Sequence, residues 1–279
     1  MAVKEYFLPK SLAEAVGLLA QHGPSLLVMA GGTIAMPLIN EGISLPEKVM
    51  GLRRAGLSYI DRRSDALAIG ATTPLAQLVK QNAIPLLQTA ARNAASMAVR
   101  NMGTVGGNIF APPPAGDVAV ALLALDAQVE LAGPAGKRIV PLADFYTGFM
   151  THQLNPNEIL SEIQVPLPAG KTVYLKYGRK HANTPSVVAV AAQLVFNGPQ
   201  VASARIALNG VGPHPLRARN AEATVIGATL AEAAITAAAQ AAADESEPFT
   251  DAVATESYRR KMTAVYVRRA LTQLAGEEA

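Results

Sequence analysis

The 279-residue chain contains no cysteine. No disulfide can form in it, and no zinc or iron–sulfur centre held by thiolates can sit within it. Tryptophan is absent as well, and aromatic residues make up 5% of the sequence, too few for a surface that stacks on nucleic-acid bases. Lysine and arginine outnumber aspartate and glutamate by 24 to 21, a surplus too small to hold a polyanion. No apolar run reaches the 18 residues of a membrane span, and the N-terminal MAVKEYFLPKSL has no apolar signal core. The expected location is the cytoplasm. The four histidines, His22, His152, His181 and His214, show no H-x-x-x-H or H-E-x-x-H spacing, and no G-x-S-x-G nucleophile turn occurs. No metal ligand or catalytic side chain is expected, and His181 alone stands near a segment of interest.

What is present has the balance of a globular protein, half hydrophobic and 16% charged. The length allows two or three compact units. SLAE at 11–14 has the capping-box form, and Leu12, Val16 and Leu19 extend a helical stripe. A short strand at 26–29 breaks into Gly31-Gly32, KVMGL (48–52) reads as another strand, and 59–69 reads as a hairpin. TTPLAQL (72–78) predicts a helix with a threonine cap and an early proline, and ARNAASMAV (91–99) predicts a second helix. VAVALLALDA after Asp117 predicts a buried helix, AQVELAGPAGKRIVPL a hairpin, and EILSEIQVPLP (158–168) a strand ended by proline. The character changes near 168–171. YLKYGRK, SVVAVAAQLVF and ARIALNGV predict successive strands, and the alanine-rich stretch 221–244 reads as helical. YRRKMTAVYVRRAL (258–271) predicts a surface helix with a solvated basic face, with Tyr258, Met262 and Val265 at helical spacing. The fold class is α+β: a unit over 1–170 in two subdomains, about 1–55 and 56–170, followed by a C-terminal sheet-plus-helices domain over 171–279.

Two glycine turns carry the chemistry, Gly31-Gly32-Thr33 and Gly103-Thr104-Val105-Gly106-Gly107-Asn108. Glycine lets a ligand approach bare backbone, and consecutive N–H groups form a concavity for an anion such as a pyrophosphate. Asp117 follows a proline run and suits donors, either ligand hydroxyls or its own backbone. Neither turn fits the G-x-G-x-x-G fingerprint of a Rossmann site. On the residues alone, each glycine turn is as readily a tight loop, and Asp117 as readily a helix cap.

The order of these pieces goes further. VMAGGT (28–33), RNMGTVGGN (100–108), PAGD (114–117), LADFYTGFM (142–150), NEILSEIQVP (157–166), LKYGRK (175–180) and RIALNGVGPHPLRARNAE (205–222) cover nearly the whole length, ending in YRRKMTAVYVRRAL. In this order they resemble the FAD-binding medium subunit of the molybdenum hydroxylases, the family of carbon monoxide dehydrogenase and xanthine dehydrogenase-type enzymes. The resemblance implies a two-subdomain FAD-binding unit of the PCMH, vanillyl-alcohol-oxidase-like kind, and a C-terminal flavoprotein domain closing over the flavin. It implies that Val28, Met29, Ala30, Gly31, Gly32, Thr33 and Ile34 line the FAD pyrophosphate and ribityl region. Thr104, Gly106, Gly107 and Asn108 would do so from the second loop, Asp117 would hold cofactor hydroxyls, Leu160 would pack on the flavin or adenine, and Lys176 would reach the flavin.

Two departures stand out. The family often reads AGGTDL where this chain has Ile34-Ala35 after Gly32-Thr33. Thr184-Pro185 aligns with an aspartate and a larger residue beside the isoalloxazine in many relatives. With no cysteine to hold a cluster in this chain, the resemblance implies that 2Fe-2S clusters sit on a small partner subunit and the molybdenum cofactor on a large one, together forming a dimer of heterotrimers. The chain would take electrons from those clusters and pass them through FAD to an external acceptor. The other readings are a self-contained flavin oxidase or dehydrogenase, and a flavin-free scaffold. A Gly106→Val substitution is expected to fill the cradle without unfolding the chain.

Overall fold

The computed structural model describes residues 3–180 and 183–276. The chain starts with a three-stranded parallel sheet, order β1-β3-β2, made of β1 (Glu5–Phe7), β2 (Leu26–Met29) and β3 (Lys48–Gly51). Parallel strands need crossovers, and α1 (Leu12–His22) and α2 (Ala35–Asn40) lie between successive strands of the chain. Ser11 caps α1 by accepting from the Glu14 N–H at 3.1 Å. Glu14 completes the motif one residue early, accepting from the Lys10 N–H at 2.7 Å. Ala15 and Leu19 of α1 join Leu26, Met50 and Ile159 in a small core.

An antiparallel sheet follows, order β4-β5-β10-β6-β7. Its hairpins are β4 (Ile60–Arg62) with β5 (Ala66–Gly70), and β6 (Gln128–Gly133) with β7 (Gly136–Pro141). After a short ribbon of β8 (Tyr146–Gly148) and β9 (Thr151–His152), β10 (Ile159–Pro166) inserts between the hairpins and closes the sheet. The helices are α3 (Leu75–Lys80), α4 (Pro85–Asn93), α5 (Met97–Met102), α6 (Val105–Ile109), α7 (Asp117–Ala124) and α8 (Leu142–Phe145). Every residue of α7 is buried, as its unbroken apolar run predicts.

Two expectations fail in this region. The helix predicted over 91–99 is two helices broken at 94–96, where Ala95 takes φ 46° and Ser96 caps α5. Arg100 holds the break open, its guanidinium donating to the carbonyls of Arg92, Ala94 and Ala95 at 3.2, 2.9 and 2.8 Å. The helix predicted to begin with a threonine cap begins at Leu75 after Pro74, with no side-chain cap. Thr73 is engaged instead with the Tyr59 backbone.

The C-terminal part is a four-stranded sheet of β11 (Lys171–Gly178), β12 (Ser186–Asn197), β13 (Gln200–Asn209) and β14 (Leu216–Arg217) in chain order. One face is covered by α9 (Arg219–Val225), α10 (Glu232–Asp244) and α11 (Glu256–Ala275). The alternation in β12 decides what lies on each side. Val188, Val190, Ala192 and Leu194 join the helix-covered core, while Ala189 and Ala191 face the core that contains α7. Small residues on that side let α7 approach the sheet closely.

The alanine-rich run is interrupted between α9 and α10, so it is not one helix. The terminal helix is also not simply a solvated basic face. Its buried stripe is Arg259, Thr263, Val267, Ala270, Leu271 and Leu274, shifted one to two positions beyond the predicted Tyr258, Met262 and Val265. Arg259 is fully buried because its guanidinium meets the carbonyls of Ser186, Val187 and Gly210 at 2.8–2.9 Å and the Asp251 carboxylate at 2.8 Å. Among the described residues no helix is long and apolar enough to cross a membrane.

Candidate functional site

A cleft of about 750 Å³ opens where the parallel sheet, the antiparallel sheet and the C-terminal sheet meet. Its size lies within the range of small-molecule and cofactor sites. The loop after β2 forms one wall: Val28, Met29, Ala30, Gly31, Gly32, Thr33 and Ile34 all line it. Gly32 has φ 73°, a conformation that excludes most side chains, and a β-carbon on Gly31 would overlap the Met102 carbonyl oxygen. The first loop therefore lies directly on the end of α5. Among the described residues, no protein acceptor takes the N–H groups of residues 31–35. Five consecutive backbone donors are left for something other than this chain, the supply that an anion site draws on.

The second loop behaves differently. Thr104, Gly106, Gly107 and Asn108 line the same cleft, but the backbone donors of residues 105–108 are occupied. The N–H groups of Val105 and Gly106 donate to the carbonyls of Thr73 and Ala71, both at 2.9 Å, and that of Asn108 to the Thr104 carbonyl. The Gly107 N–H donates to the Thr104 hydroxyl at 3.0 Å, so Thr104 is the N-cap of α6. Among the described residues only the Thr104 N–H of this loop lacks a protein acceptor, so it offers no row of free donors like that of the first loop. Gly106 also has another reason to be glycine: a β-carbon there would stand 2.8 Å from the Ala71 carbonyl oxygen and 3.0 Å from its side chain. It packs against the end of β5, so valine at 106 would push α6 off the sheet rather than fill the cleft. Asn108 accepts through Oδ1 from the N–H groups of Val118 and Ala119, both at 3.0 Å, and so caps α7.

Asp117 does not cap the helix. Gly116, with φ 98°, holds the N-cap position and Asp117 is the first helical residue. Its carboxylate accepts from the Tyr174 hydroxyl at 3.1 Å, the Ser186 hydroxyl at 2.9 Å and the Lys176 ammonium at 2.8 Å. Burial and the adjacent Asp117 carboxylate push the Tyr174 phenol well above its ordinary range, which keeps it a donor. Lys176 gives a second proton to the Asn93 carbonyl at 3.0 Å. Both charged side chains are less than a tenth exposed. Asp117 and Leu160 line the cleft, but Lys176 does not. Its ammonium joins α4, α7 and β11 instead.

Further residues line the cleft that the motifs did not single out. Thr72 lies next to Ala71, and Pro112, Pro113 and Pro114 form part of a wall. Asn183, Thr184 and Pro185 approach from the C-terminal part, while His181 lies outside the described residues. Glu158 also lines the cleft, and the two hydrogen bonds from Arg138 hold its carboxyl down at about 2, against the opposing effect of burial. Only the local pairing of TTP with the end of a strand could have pointed to Thr72. Nothing in the sequence pairs Arg138 with Glu158. The remaining described histidines pack on aromatic rings, His22 against Phe7, His152 against Phe110 and Phe145, and His214 on Tyr146.

The cleft thus offers a row of free N–H groups, largely apolar walls, and two carboxylates each already matched by a cation. That set fits a ligand with an anionic middle and flat, poorly polar ends. Residues 2–168 match the family described as the FAD binding domain in molybdopterin dehydrogenase, and residues 173–274 the CO dehydrogenase flavoprotein C-terminal domain. The carbon monoxide dehydrogenase medium chain of Hydrogenophaga pseudoflava is 34% identical over 96% of this chain and 95% of that one. The glyceraldehyde dehydrogenase medium chain of Sulfolobus acidocaldarius is 31% identical over 97% and 98%. The solved carbon monoxide dehydrogenase of Hydrogenophaga pseudoflava superposes with a TM-score of 0.95 at 34% identity, covering 100% of this chain and 99% of that one. Quinoline 2-oxidoreductase from Pseudomonas putida 86 gives 0.89 at 26% identity, covering 99% and 98%. These relatives are subunits of multi-subunit dehydrogenases, which sets the self-contained oxidase and the flavin-free scaffold aside, and with both halves of its sequence matched the chain belongs to the FAD-binding medium subunits of the molybdenum hydroxylases.

Proposed function

We propose that FAD lies along this cleft with its pyrophosphate on the N–H groups of residues 31–35. That row of unpaired donors is the observation that carries the assignment. Val28, Met29, Ala30 and Thr33 would line the same stretch of cofactor, with Ile34 contributing backbone where many relatives offer aspartate. Thr104, Gly106, Gly107 and Asn108 would supply close backbone approach, and Leu160 an apolar wall for a ring system. The Oδ2 atom of Asp117, which among the described residues accepts only from Lys176, keeps capacity for one cofactor hydroxyl. Lys176 would act through Asp117. In this reading residues 1–170 are the FAD-binding unit, with subdomains 1–55 and 56–170, and 171–279 the domain that closes it.

FAD, when bound, takes up electrons singly and gives them up as a pair; the protein supplies binding, orientation and exclusion of water. With no cysteine in the chain, the electron donors are 2Fe-2S clusters on a small partner subunit, fed by a large subunit with the molybdenum cofactor. A dimer of such heterotrimers in the cytoplasm completes the proposal. The face for the cluster-bearing partner is the rim of the cleft. Neither α2 nor α5 buries any residue, and Ile34, Met36, Met97, Val99 and Met102 stand exposed there beside exposed Arg53 and Arg54. Apolar surface of this kind marks interaction sites, and electrons delivered here enter next to the cofactor.

The test is to co-express the three subunits and measure stoichiometry and released nucleotide. Stoichiometric FAD is expected in the complex. Met97→Glu is expected to lose the small subunit while keeping FAD. FMN or no nucleotide would refute the cofactor assignment, and an intact Met97→Glu complex would refute the face.

A further inference from the structure

Among the described residues that line the cleft, Phe110 carries the one aromatic ring. It stands two residues past Asn108, outside both glycine motifs, at the C-terminal end of α6. Phe110 is half-buried, and most of what a phenylalanine can expose is ring. The ring therefore keeps accessible surface where the residue borders the cleft, and the walls around it are aliphatic side chains, prolines and bare backbone.

Its neighbours fix the ring without enclosing it. The Tyr146 hydroxyl donates to the Ile109 carbonyl at 3.0 Å, which sets the backbone just before Phe110. The rings of Phe145 and His152 are stacked on each other, with centroids 5.3 Å apart and planes 4° from parallel. Phe110 meets them at 76° and 77°, with centroid distances of 5.8 and 4.9 Å. Three separations so nearly equal place both neighbours on one side of the Phe110 ring. Among the described residues no third aromatic ring and no cation pairs with it from the other side. An anchored ring has little freedom left to lose when a flat ligand settles on it, so it binds at low entropic cost.

We propose that Phe110 is a cofactor-binding residue whose open ring face stacks on one of the two ring systems of the bound flavin nucleotide. The inference rests on the cofactor reading above and adds a contact that neither glycine motif contains. The chemistry recognised is a flat heteroaromatic ring, which the adenine and the isoalloxazine share.

The experiment uses the full-length chain stripped of nucleotide, titrated with FAD by flavin fluorescence, with ADP and FMN as competitors. Phe110→Leu keeps an apolar side chain against Phe145 and His152 but removes the ring. It should weaken FAD binding about ten-fold, the effect of one lost stack. Phe110→Tyr, which keeps the ring, should bind FAD within about three-fold of wild type. In Phe110→Leu, weaker competition by ADP alone puts the adenine on Phe110, and weaker competition by FMN alone puts the isoalloxazine there. Wild-type FAD affinity in Phe110→Leu overturns the proposal, and so does a loss in Phe110→Tyr as large as that in Phe110→Leu. Equal weakening of ADP and FMN overturns it as well, since a distorted cleft moves both ends of the ligand and a lost stack moves one. Failure of the wild-type chain to bind FAD would instead strike the cofactor assignment itself.

Discussion

Gly31 and Gly106 read alike as parts of glycine-rich turns, yet they are glycine for different reasons. Gly31 lies against the carbonyl of Met102 at the end of α5, so a methyl group there separates the two loops. Gly31→Ala should lower stability by about 1–3 kcal/mol, the usual effect of overpacking, and reduce the FAD retained on purification. Denaturant unfolding and nucleotide content check both parts, and a stable, fully flavinylated variant would show that the loops tolerate separation. Gly106 packs on Ala71. Gly106→Val should therefore fail chiefly as a folding defect, visible in the far-ultraviolet spectrum and the melting curve before any question of cofactor arises.

At the scale of elements, the entry to β10 is pinned by charge. Arg138 on β7 holds the Glu158 carboxylate through two hydrogen bonds at 2.7 and 2.8 Å. The folded carboxyl titrates at about 2, below its ordinary 4.5. Ionised Glu158 therefore contributes stability that is complete above 4.5 and is lost as pH falls toward 2. The melting temperature of wild type should drop through that window more steeply than that of Arg138→Met, and the two should converge at its acid end. Parallel curves would show that the pair contributes nothing. Elements also account for the local misreadings. Ser96 and Arg100 break the helix predicted over 91–99 because an N-cap and a carbonyl-binding guanidinium compete with propensity. Alanine helicity alone cannot show such a break.

Across the whole molecule, α7 is the joint. It packs on β12 and β13 of the C-terminal sheet and on α4 and α6 of the preceding part. Its Asp117 meets Lys176 of β11 in a buried pair with Tyr174 and Ser186 as further donors. Removing one member leaves the other charged and buried, so Lys176→Met should cost about 3–5 kcal/mol. Adding Asp117→Asn to it should cost less than the sum of the single variants, because the two residues act as a unit. A double-mutant cycle by chemical denaturation measures this, and strict additivity would mean the pair is not coupled. Lys176→Met should also loosen FAD indirectly, through the position of Asp117 at the cleft.

The sequence by itself determined the strand-and-helix order, the buried α7, the two hairpins and the loops that meet at the cleft. Those features are written in local periodicity, turn residues and motifs, which depend on neighbours a few positions apart. Only the tertiary structure decided how the polar atoms are divided. The N–H groups of the first loop stay free, while those of Val105 and Gly106 in the second are taken by Thr73 and Ala71. Lys176 pairs with a carboxylate 59 positions earlier, and Arg259 is buried by carbonyls of β12 and of Gly210 just past β13. A hydrogen bond needs a partner within about 3 Å, and which partner arrives there is fixed by how the sheets and helices pack, at sequence separations that no local pattern records.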